Sequence, residues 1–97
     1  MRIITRKALK EFWERYPDAE QPLKAWFKFA HKADWKTPAE VKADYGNASI
    51  LEDNRVCFNI AGNKYRLIVK MNYPYRIGYI RFVGTHSDYD NIDVTRV

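Results

Sequence analysis

Five side chains in the second half of the chain are suited to chemistry on a phosphate group. Arg66 and Arg81 present guanidinium groups, which stay protonated and offer a fork of donors to phosphate oxygens. His86 can serve as a general acid or base, the usual role of imidazole in proton transfer. Tyr89 can donate a proton or stack on a base, and Lys64 can stabilise negative charge. These five residues are our candidate catalytic set.

The charge around these residues favours a polyanionic partner. The chain carries a net charge of +5, and residues 54–87 contain no aspartate or glutamate. A stretch without carboxylates concentrates positive potential where a nucleic acid would be attracted. A solvated sheet surface of no special function would have the same composition, so the charge by itself leaves both interpretations open.

Side chains of this kind can cut RNA without further help. The 2′-hydroxyl of RNA can attack the adjacent phosphorus, so the protein need not supply a nucleophile. It must remove the 2′-hydroxyl proton, stabilise negative charge on phosphorus and protonate the departing 5′-oxygen. The two arginines suit the second task, and His86 and Tyr89 suit the proton transfers. We assign RNA binding to further residues of the basic stretch, namely Arg55, Asn59, Asn63, Lys70 and Arg76.

Other kinds of site are missing from the sequence. It has no G-x-x-x-x-G-K-[ST] phosphate loop, no Cys/His cluster and no His-Glu-x-x-His helix. Because the acidic residues are scattered, we expect neither a metal ion nor a cofactor. Cys57 is the one cysteine, which excludes an internal disulfide, and we interpret it as a small strand residue. A single cysteine fits the reducing cytosol, and the sequence has neither a signal-peptide pattern nor an apolar run of about 20 residues. We therefore predict a cytoplasmic protein without a membrane anchor.

The first half of the chain has helical periodicity. A short strand over 2–5 should lead into a helix capped by Thr5, whose apolar stripe is Ala8, Leu9, Phe12, Trp13 and Tyr16. Pro17 ends that helix, and Asp18 with Gln21 resembles a capping box for a second helix that ends near His31. Thr37 and Glu40 are spaced to cap each other at the start of a third, short helix. The first two helices should form an antiparallel hairpin.

The second half alternates as strands do. Turn residues separate three predicted strands over 55–60, 64–73 and 77–85, which should form an antiparallel meander. Alternation puts apolar residues on the face that the helical hairpin covers, and puts Lys64, Arg66 and Lys70 on the opposite face. If Arg81 shares that open face with Tyr79 and Thr85, Arg66 and Arg81 meet across the sheet. We expect a single α+β domain over 1–97.

The sequence resembles the HigB family of toxins within the RelE-like endoribonuclease superfamily. The similar segments run almost from end to end: 2–13 (RIITRKALKEFW), 33–38 (ADWKTP), 58–69 (FNIAGNKYRLIV) and 79–90 (YIRFVGTHSDYD). The resemblance implies a RelE-like fold, with an N-terminal strand and a helical hairpin packed on an antiparallel β-sheet. It also implies a metal-independent mRNA endoribonuclease that inhibits translation as the toxin of a type II toxin–antitoxin pair.

The resemblance also implies site residues and partners. Arg66 falls at a substrate-phosphate position of the superfamily, and His86 follows the last strand where relatives often carry a basic residue. Tyr89 and Asp90 fall where relatives carry functional C-terminal side chains. The implied partners are a HigA-like helix-turn-helix antitoxin and mRNA, which many relatives cut on the ribosome, with operator DNA reached only through the antitoxin.

Three other functions are compatible with the same sequence. The chain could be a non-catalytic module that binds RNA or the ribosome, a co-repressor subunit of the antitoxin, or a gyrase poison of the same fold. Fold alone does not choose among them. The pair of Arg66 and His86 favours the nuclease, because it combines a phosphate-binding group with a proton-transfer group.

Overall fold

A computed structural model describes residues 1–97. Its helices pack against a five-stranded sheet. This confirms the predicted α+β class. The strands follow the order β1-β5-β4-β3-β2 across the sheet. In chain order the elements are β1 Arg2–Ile4, α1 Lys7–Arg15, a 3₁₀ turn Pro17–Ala19, α2 Glu20–Lys32, α3 Pro38–Asp44, β2 Ser49–Ile50, β3 Arg55–Ile60, β4 Tyr65–Asn72, β5 Ile77–Thr85 and α4 His86–Asp90.

Three of the strands form the predicted meander, but the sheet as a whole is mixed. β3, β4 and β5 pair antiparallel, and β5 has the predicted bounds. β1 pairs with β5 in parallel, with Arg2 opposite Ile77, so the expectation of a purely antiparallel sheet was wrong. Parallel pairing is possible here because the helices after β1 carry the chain to β2 on the far edge of the sheet, and the meander then returns it to β5 beside β1. The two-residue strand β2 on the far edge was not predicted.

The helix starts differ from the sequence predictions at two places. Thr5 has a left-handed φ of 70° and makes no side-chain cap, so α1 begins after Arg6. Asp18 does not cap α2 either, because Pro17–Ala19 forms a separate 3₁₀ turn. Thr37 does cap α3, accepting a bond from the Glu40 N–H at 3.2 Å. The returning bond of that predicted pair is absent, because the Glu40 carboxylate accepts from the Lys36 N–H instead, at 2.6 Å.

The core lies between the helices and one face of the sheet, as predicted. Val56, Phe58 and Ile60 on β3 point into it and are almost fully buried. The Phe58 ring packs edge-on to Trp26 of α2 at 5.3 Å and stacks on Trp35 at 6.0 Å. Burying one such ring stabilises the fold by roughly 1.5–3 kcal/mol. The arrangement fixes β3 and β4 with their other side chains facing away from α1, α2 and α3.

A bulge on β5 changes which residues of that strand face the core. Ile68 of β4 pairs with Phe82 and the next residue, Val69, pairs with Ile80, which leaves Arg81 as the extra residue. Phe82 and Tyr79 therefore share the open face with Arg66. Thr85, which pairs with the core residue Tyr65, lies on the other face. The predicted common phase of Tyr79, Arg81 and Thr85 was wrong, because strict alternation does not hold across a bulge.

The C-terminal segment covers part of the open face. Cys57 and Ile68 point away from the helical hairpin, yet they are 2% and 0% exposed. Tyr89 of α4 lies beside Phe82, with ring centroids 6.4 Å apart. Further along, Arg55 donates from Nε to the Val97 carbonyl at 2.9 Å. No helix of the chain has the length and apolar character needed to cross a membrane.

Candidate active site

Arg66 occupies the end of the open face that the C-terminal segment leaves accessible. Its neighbours across the sheet are Asn59 on β3 and Gly84 on β5. The guanidinium is partly exposed and makes one weak bond, from Nη1 to the Asn63 carbonyl at 3.4 Å. It forms no ion pair, and the ring of Tyr89 lies 5.7 Å from its Cζ. Most of its donors therefore remain available to an anionic ligand.

Gly84 allows α4 to pack directly beside Arg66. A Cβ atom at this position would lie 3.0 Å from Cβ of Asp88 and 2.5 Å from Cζ of Phe82. Thr85 and Asp88 then hold the start of α4 by a capping box. The Asp88 N–H donates to Oγ1 of Thr85 at 3.0 Å, and the Thr85 N–H donates to the Asp88 carboxylate at 3.1 Å. The absence of a side chain at Gly84 thus sets the position of His86 and Tyr89.

His86 begins α4, two residues beyond the partner of Arg66. Its Nδ1 lies 3.2 Å from an Oδ atom of Asp90, one helical turn away. If Nδ1 carries the proton, it donates to that carboxylate, and Nε2 is then free to accept a proton. The imidazole is about half exposed, so substrate has access to it.

Tyr89 contacts both the buried and the exposed parts of this site. Burial raises the pKa of its hydroxyl, the neighbouring Cys57 raises it further, and the Arg66 guanidinium opposes the shift. Burial likewise raises the pKa of the Cys57 thiol. Both groups are therefore neutral at physiological pH. A neutral Tyr89 can offer a hydrogen bond or a ring face, and it holds Arg66 by a cation–π contact.

Lys64 lies apart from this group. Its ammonium pairs with the Asp18 carboxylate, which also accepts from the Tyr65 hydroxyl at 2.5 Å. The hydrogen bond to Asp18 raises the pKa of Lys64, while Lys64 and Tyr65 lower the pKa of Asp18. The pairing draws Lys64 toward the 3₁₀ turn on the helical side of the sheet. The prediction that it shares a face with Arg66 was wrong, because Lys64 precedes the strand and does not follow its alternation.

Three basic residues of the predicted RNA surface are already engaged within the protein. Arg55 is 4% exposed and binds Asp53 at 2.8 Å. Arg76 binds Asp34 at 2.6 Å and the nearby carbonyls of Tyr73 and Pro74, at the opposite end of β4 from Arg66. We therefore leave Arg55 and Arg76 out of the RNA surface. Lys70 contacts Asp53 at 3.3 Å but is partly exposed, and it shares the face of Arg66 four residues further along β4.

The remaining candidates are accessible. Asn59, beside Arg66, donates to the Asn47 carbonyl at 3.3 Å. Asn63 is exposed in the turn before β4. Arg81 is exposed at the bulge and forms no ion pair, but it does not pair with Arg66 across the sheet, since Gly84 takes that position. Arg66, Asn59 and Tyr89 are thus brought together at one end of the open face, and His86 begins the helix that carries Tyr89.

Comparison with known proteins identifies the family to which this site belongs. Residues 19–92 match the HigB_toxin family, described as the RelE-like toxic component of a toxin–antitoxin system. The match covers well over half of the sequence. The chain belongs to the HigB toxin family. This confirms the resemblance found in the sequence, and it makes an antitoxin the expected partner of this toxin.

Individual relatives agree with the family match. The toxin is 34% identical over 92 residues to a protein of Escherichia coli K12 named mRNA interferase toxin HigB, an alignment that covers 93% of this chain and 88% of that relative. The mRNA interferase HigB of Shigella flexneri matches to the same extent. An mRNA interferase HigB from Escherichia coli O6:H1 is 21% identical over 94 residues, covering 95% and 91% of the two chains.

Two residues of the site were not identified from the sequence of the toxin. Gly84 was read only as part of a strand, although its close contacts position α4. Asp88 was not recognised as a capping residue, although the spacing Thr85-x-x-Asp88 is a signal for a helix start.

The acidic residues of the chain stay scattered in the folded structure. No three His, Cys, Asp or Glu side chains are grouped as metal ligands would be.

Proposed function

We propose that this toxin is an mRNA interferase. It cleaves messenger RNA at a site composed of Arg66, Tyr89 and His86, at one end of the sheet. Relatives that align over nine-tenths of the chain are named mRNA interferases. The observation that carries the proposal is Arg66, a guanidinium without an ion pair on the open face, with α4 packed beside it. This combination provides a phosphate-binding group next to a proton-transfer group.

The proposed reaction uses the RNA as its own nucleophile. His86 accepts the 2′-hydroxyl proton at Nε2, and the 2′-oxygen bonds to phosphorus. Arg66 stabilises the added negative charge on the phosphoryl oxygens. The bond from phosphorus to the 5′-oxygen then breaks, and a proton from His86 or Tyr89 goes to that oxygen. The products are a 2′,3′-cyclic phosphate and a 5′-hydroxyl, and the route requires no metal ion.

Other residues serve binding in this proposal. Asn59, Asn63, Lys70 and Arg81 are partly or fully exposed and can contact the RNA on either side of the cleaved phosphate. Tyr89 can present the accessible part of its ring to an unstacked base. Lys64 is not assigned a catalytic role, because its charge is neutralised by Asp18.

The partners follow from the family. We propose a HigA-like helix-turn-helix antitoxin as the inhibitor, with operator DNA contacted only through it. We also propose that the toxin acts in the cytoplasm, where it meets mRNA on the translating ribosome. A cleavage assay with purified mRNA, with and without ribosomes, measures that requirement directly.

Mapping of RNA ends tests the proposed reaction. We expect the purified toxin to produce 2′,3′-cyclic phosphate and 5′-hydroxyl ends, and to cleave ribosome-free mRNA equally well with and without EDTA. Arg66→Ala should lower the cleavage rate by about 100- to 1,000-fold, typical of losing one transition-state donor. Arg2→Ala is the matched control, because Arg2 is exposed on β1 and away from the site.

Two results would contradict the proposal. Cleavage of ribosome-free mRNA that stops in EDTA, or Arg66→Ala cleaving as fast as Arg2→Ala, would exclude the metal-free Arg66 mechanism. RNA or ribosome binding without any new RNA ends would favour the non-catalytic alternative. Normal growth on induction of the toxin alone would favour the co-repressor alternative.

A further inference from the structure

The outer surface of the helical hairpin carries a groove that the proposed RNA site does not use. It lies between α1 and α2, has a volume of about 470 Å³ and is lined by seven residues: Arg6, Lys7, Leu9, Lys10, Trp13, Lys24 and Phe27. Leu9 is buried at its floor, and the Trp13 and Phe27 rings are partly exposed. The groove thus combines an apolar floor with four cationic side chains.

The cations of this groove are placed over its aromatic rings. Arg6 lies 4.6 Å above the Phe27 ring, and Lys24 lies 5.4 Å above the Trp13 ring. Arg6 forms no ion pair within the protein, and neither does Lys10. No carboxylate lines the groove, although Glu11 and Glu20 pair with Lys7 and Lys24 at its margins. The surface therefore has unpaired positive charge beside exposed apolar area.

The groove faces away from the proposed catalytic site. α1 and α2 cover the core face of the sheet, whereas Arg66 and α4 lie on the opposite face. A second groove of about 610 Å³ adjoins the first, sharing Arg6 and Phe27, and runs along residues 1–5 at the edge strand β1. Because they share Arg6 and Phe27, the two grooves form one continuous surface along α1, α2 and β1.

We propose that this surface binds an acidic segment of the antitoxin, with a large apolar side chain inserted between Leu9, Trp13 and Phe27. Carboxylates of the segment pair with Arg6 and Lys10, the two cations without partners. The apolar insertion supplies the buried centre that protein–protein interfaces require. The inference depends on membership of the toxin family, which makes an antitoxin the expected partner, and not on the cleavage mechanism.

The chemistry of the groove favours a protein over RNA. Single-stranded RNA binds aromatic surfaces by stacking its bases on open ring faces. Here Arg6 and Lys24 already occupy faces of Phe27 and Trp13. An aliphatic or aromatic side chain can instead contact the remaining ring edges and Leu9. The antitoxin segment would then leave Arg66 uncovered.

Charge reversal within the groove tests the proposal. The variant Arg6→Glu/Lys10→Glu replaces the two unpaired cations. Arg6 is the residue before the first turn of α1, where a negative charge is favourable to the helix dipole, so the fold should persist. The matched control is Lys28→Glu/Lys36→Glu, which changes net charge equally on exposed positions outside the groove. Circular dichroism verifies folding of each.

The measurement is the Kd for the purified cognate antitoxin, together with mRNA cleavage by the free toxin. We expect the groove variant to bind the antitoxin at least ~10-fold more weakly while it cleaves mRNA like the control. Among peptides tiled over the antitoxin, an acidic one with a large apolar residue should bind wild-type toxin and not the groove variant. Arg66→Ala should bind the antitoxin normally even if it loses cleavage.

Other outcomes would overturn the inference. Equal antitoxin affinity of groove and control variants would show that the groove is not the contact surface. Loss of RNA binding by the groove variant, with antitoxin affinity intact, would identify RNA as the occupant. A concentration-dependent dimer of wild-type toxin that the groove variant abolishes, again with antitoxin affinity intact, would identify a second copy. Because Arg66→Ala separately tests cleavage, failure of either proposal is distinguishable from failure of the other.

Discussion

Replacing Gly84 by alanine should displace α4 while the rest of the fold is retained. The added methyl group would lie 2.5 Å from Cζ of Phe82 and 3.0 Å from Cβ of Asp88, up to roughly 1 Å inside normal contact distance. Relief requires the Phe82 ring and the start of α4 to move together. Overpacking of this kind costs about 1–3 kcal/mol, and opening the capping box adds about 1 kcal/mol.

The Gly84→Ala variant should lose more cleavage activity than its lower free energy of unfolding would explain. α4 carries His86 and Tyr89, so its displacement moves both side chains relative to Arg66. A misplacement of about 1 Å in a catalytic group can lower a rate by about 100-fold. Urea unfolding should show the Gly84→Ala variant destabilised by about 2–4 kcal/mol but still folded, and a cleavage assay should show the larger deficit.

Gly46→Ala is the matched control, because a Cβ atom there would have no heavy atom within 4 Å. It should unfold and cleave like the wild type. If Gly84→Ala also matched the wild type in both assays, the close packing of α4 on β5 would be refuted, and with it the assignment of His86 to the site. A variant destabilised as expected but fully active would refute only the functional part.

Two further predictions concern titratable groups. The pKa of Asp18 is lowered by hydrogen bonds from Lys64 and Tyr65, so its contribution to stability is complete above the unfolded-state value, near 3.9, and is lost as pH falls through the lower folded-state value. Asp18→Asn should therefore be less stable than wild type at pH 7 and lose less stability between about pH 5 and about pH 2. Urea unfolding across that range measures the effect, with Glu14→Gln as the control. The prediction is contradicted if the free energy of unfolding of both variants changes with pH as steeply as that of the wild type. Burial raises the pKa of the Cys57 thiol and removes the thiol from solvent. Iodoacetamide should therefore label Cys57 at least ~100-fold more slowly in buffer than in 8 M urea at the same pH, as measured by mass spectrometry. Rapid labelling of the folded toxin would show that the C-terminal segment does not cover Cys57.

The core face of the sheet could be predicted from the sequence because it depends on local alternation. Val56, Phe58 and Ile60 alternate with Arg55, Cys57 and Asn59, and one-sided burial follows from that period. The strand bounds of β3 and β5 were correct because turn residues mark the ends of the strands in the sequence. The two helices were predicted from a 3.6-residue apolar period, and their arrangement as a hairpin from the short connection between them.

The composition of the site was only partly predictable. Arg66 was identified from its place on a basic strand and from the family resemblance, and the structure puts it on the open face. The expected meeting of Arg66 with Arg81 failed because the register places Gly84 opposite Arg66 and a bulge takes Arg81 out of the alternation, and neither feature is visible in the sequence. Arg55 and Arg76 were misjudged because a basic side chain has the same sequence signature whether it faces solvent or a carboxylate of its own chain.

The sequence by itself determined the α+β class, the family and the polarity of the two sheet faces, since each depends on residue type and local spacing. The tertiary structure decided which cations remain free, because ion pairs such as that of Lys64 with Asp18 join residues far apart in the chain. It also decided the location of α4, which depends on the space left by Gly84. Contacts between distant segments have no local period, and only the folded chain shows them.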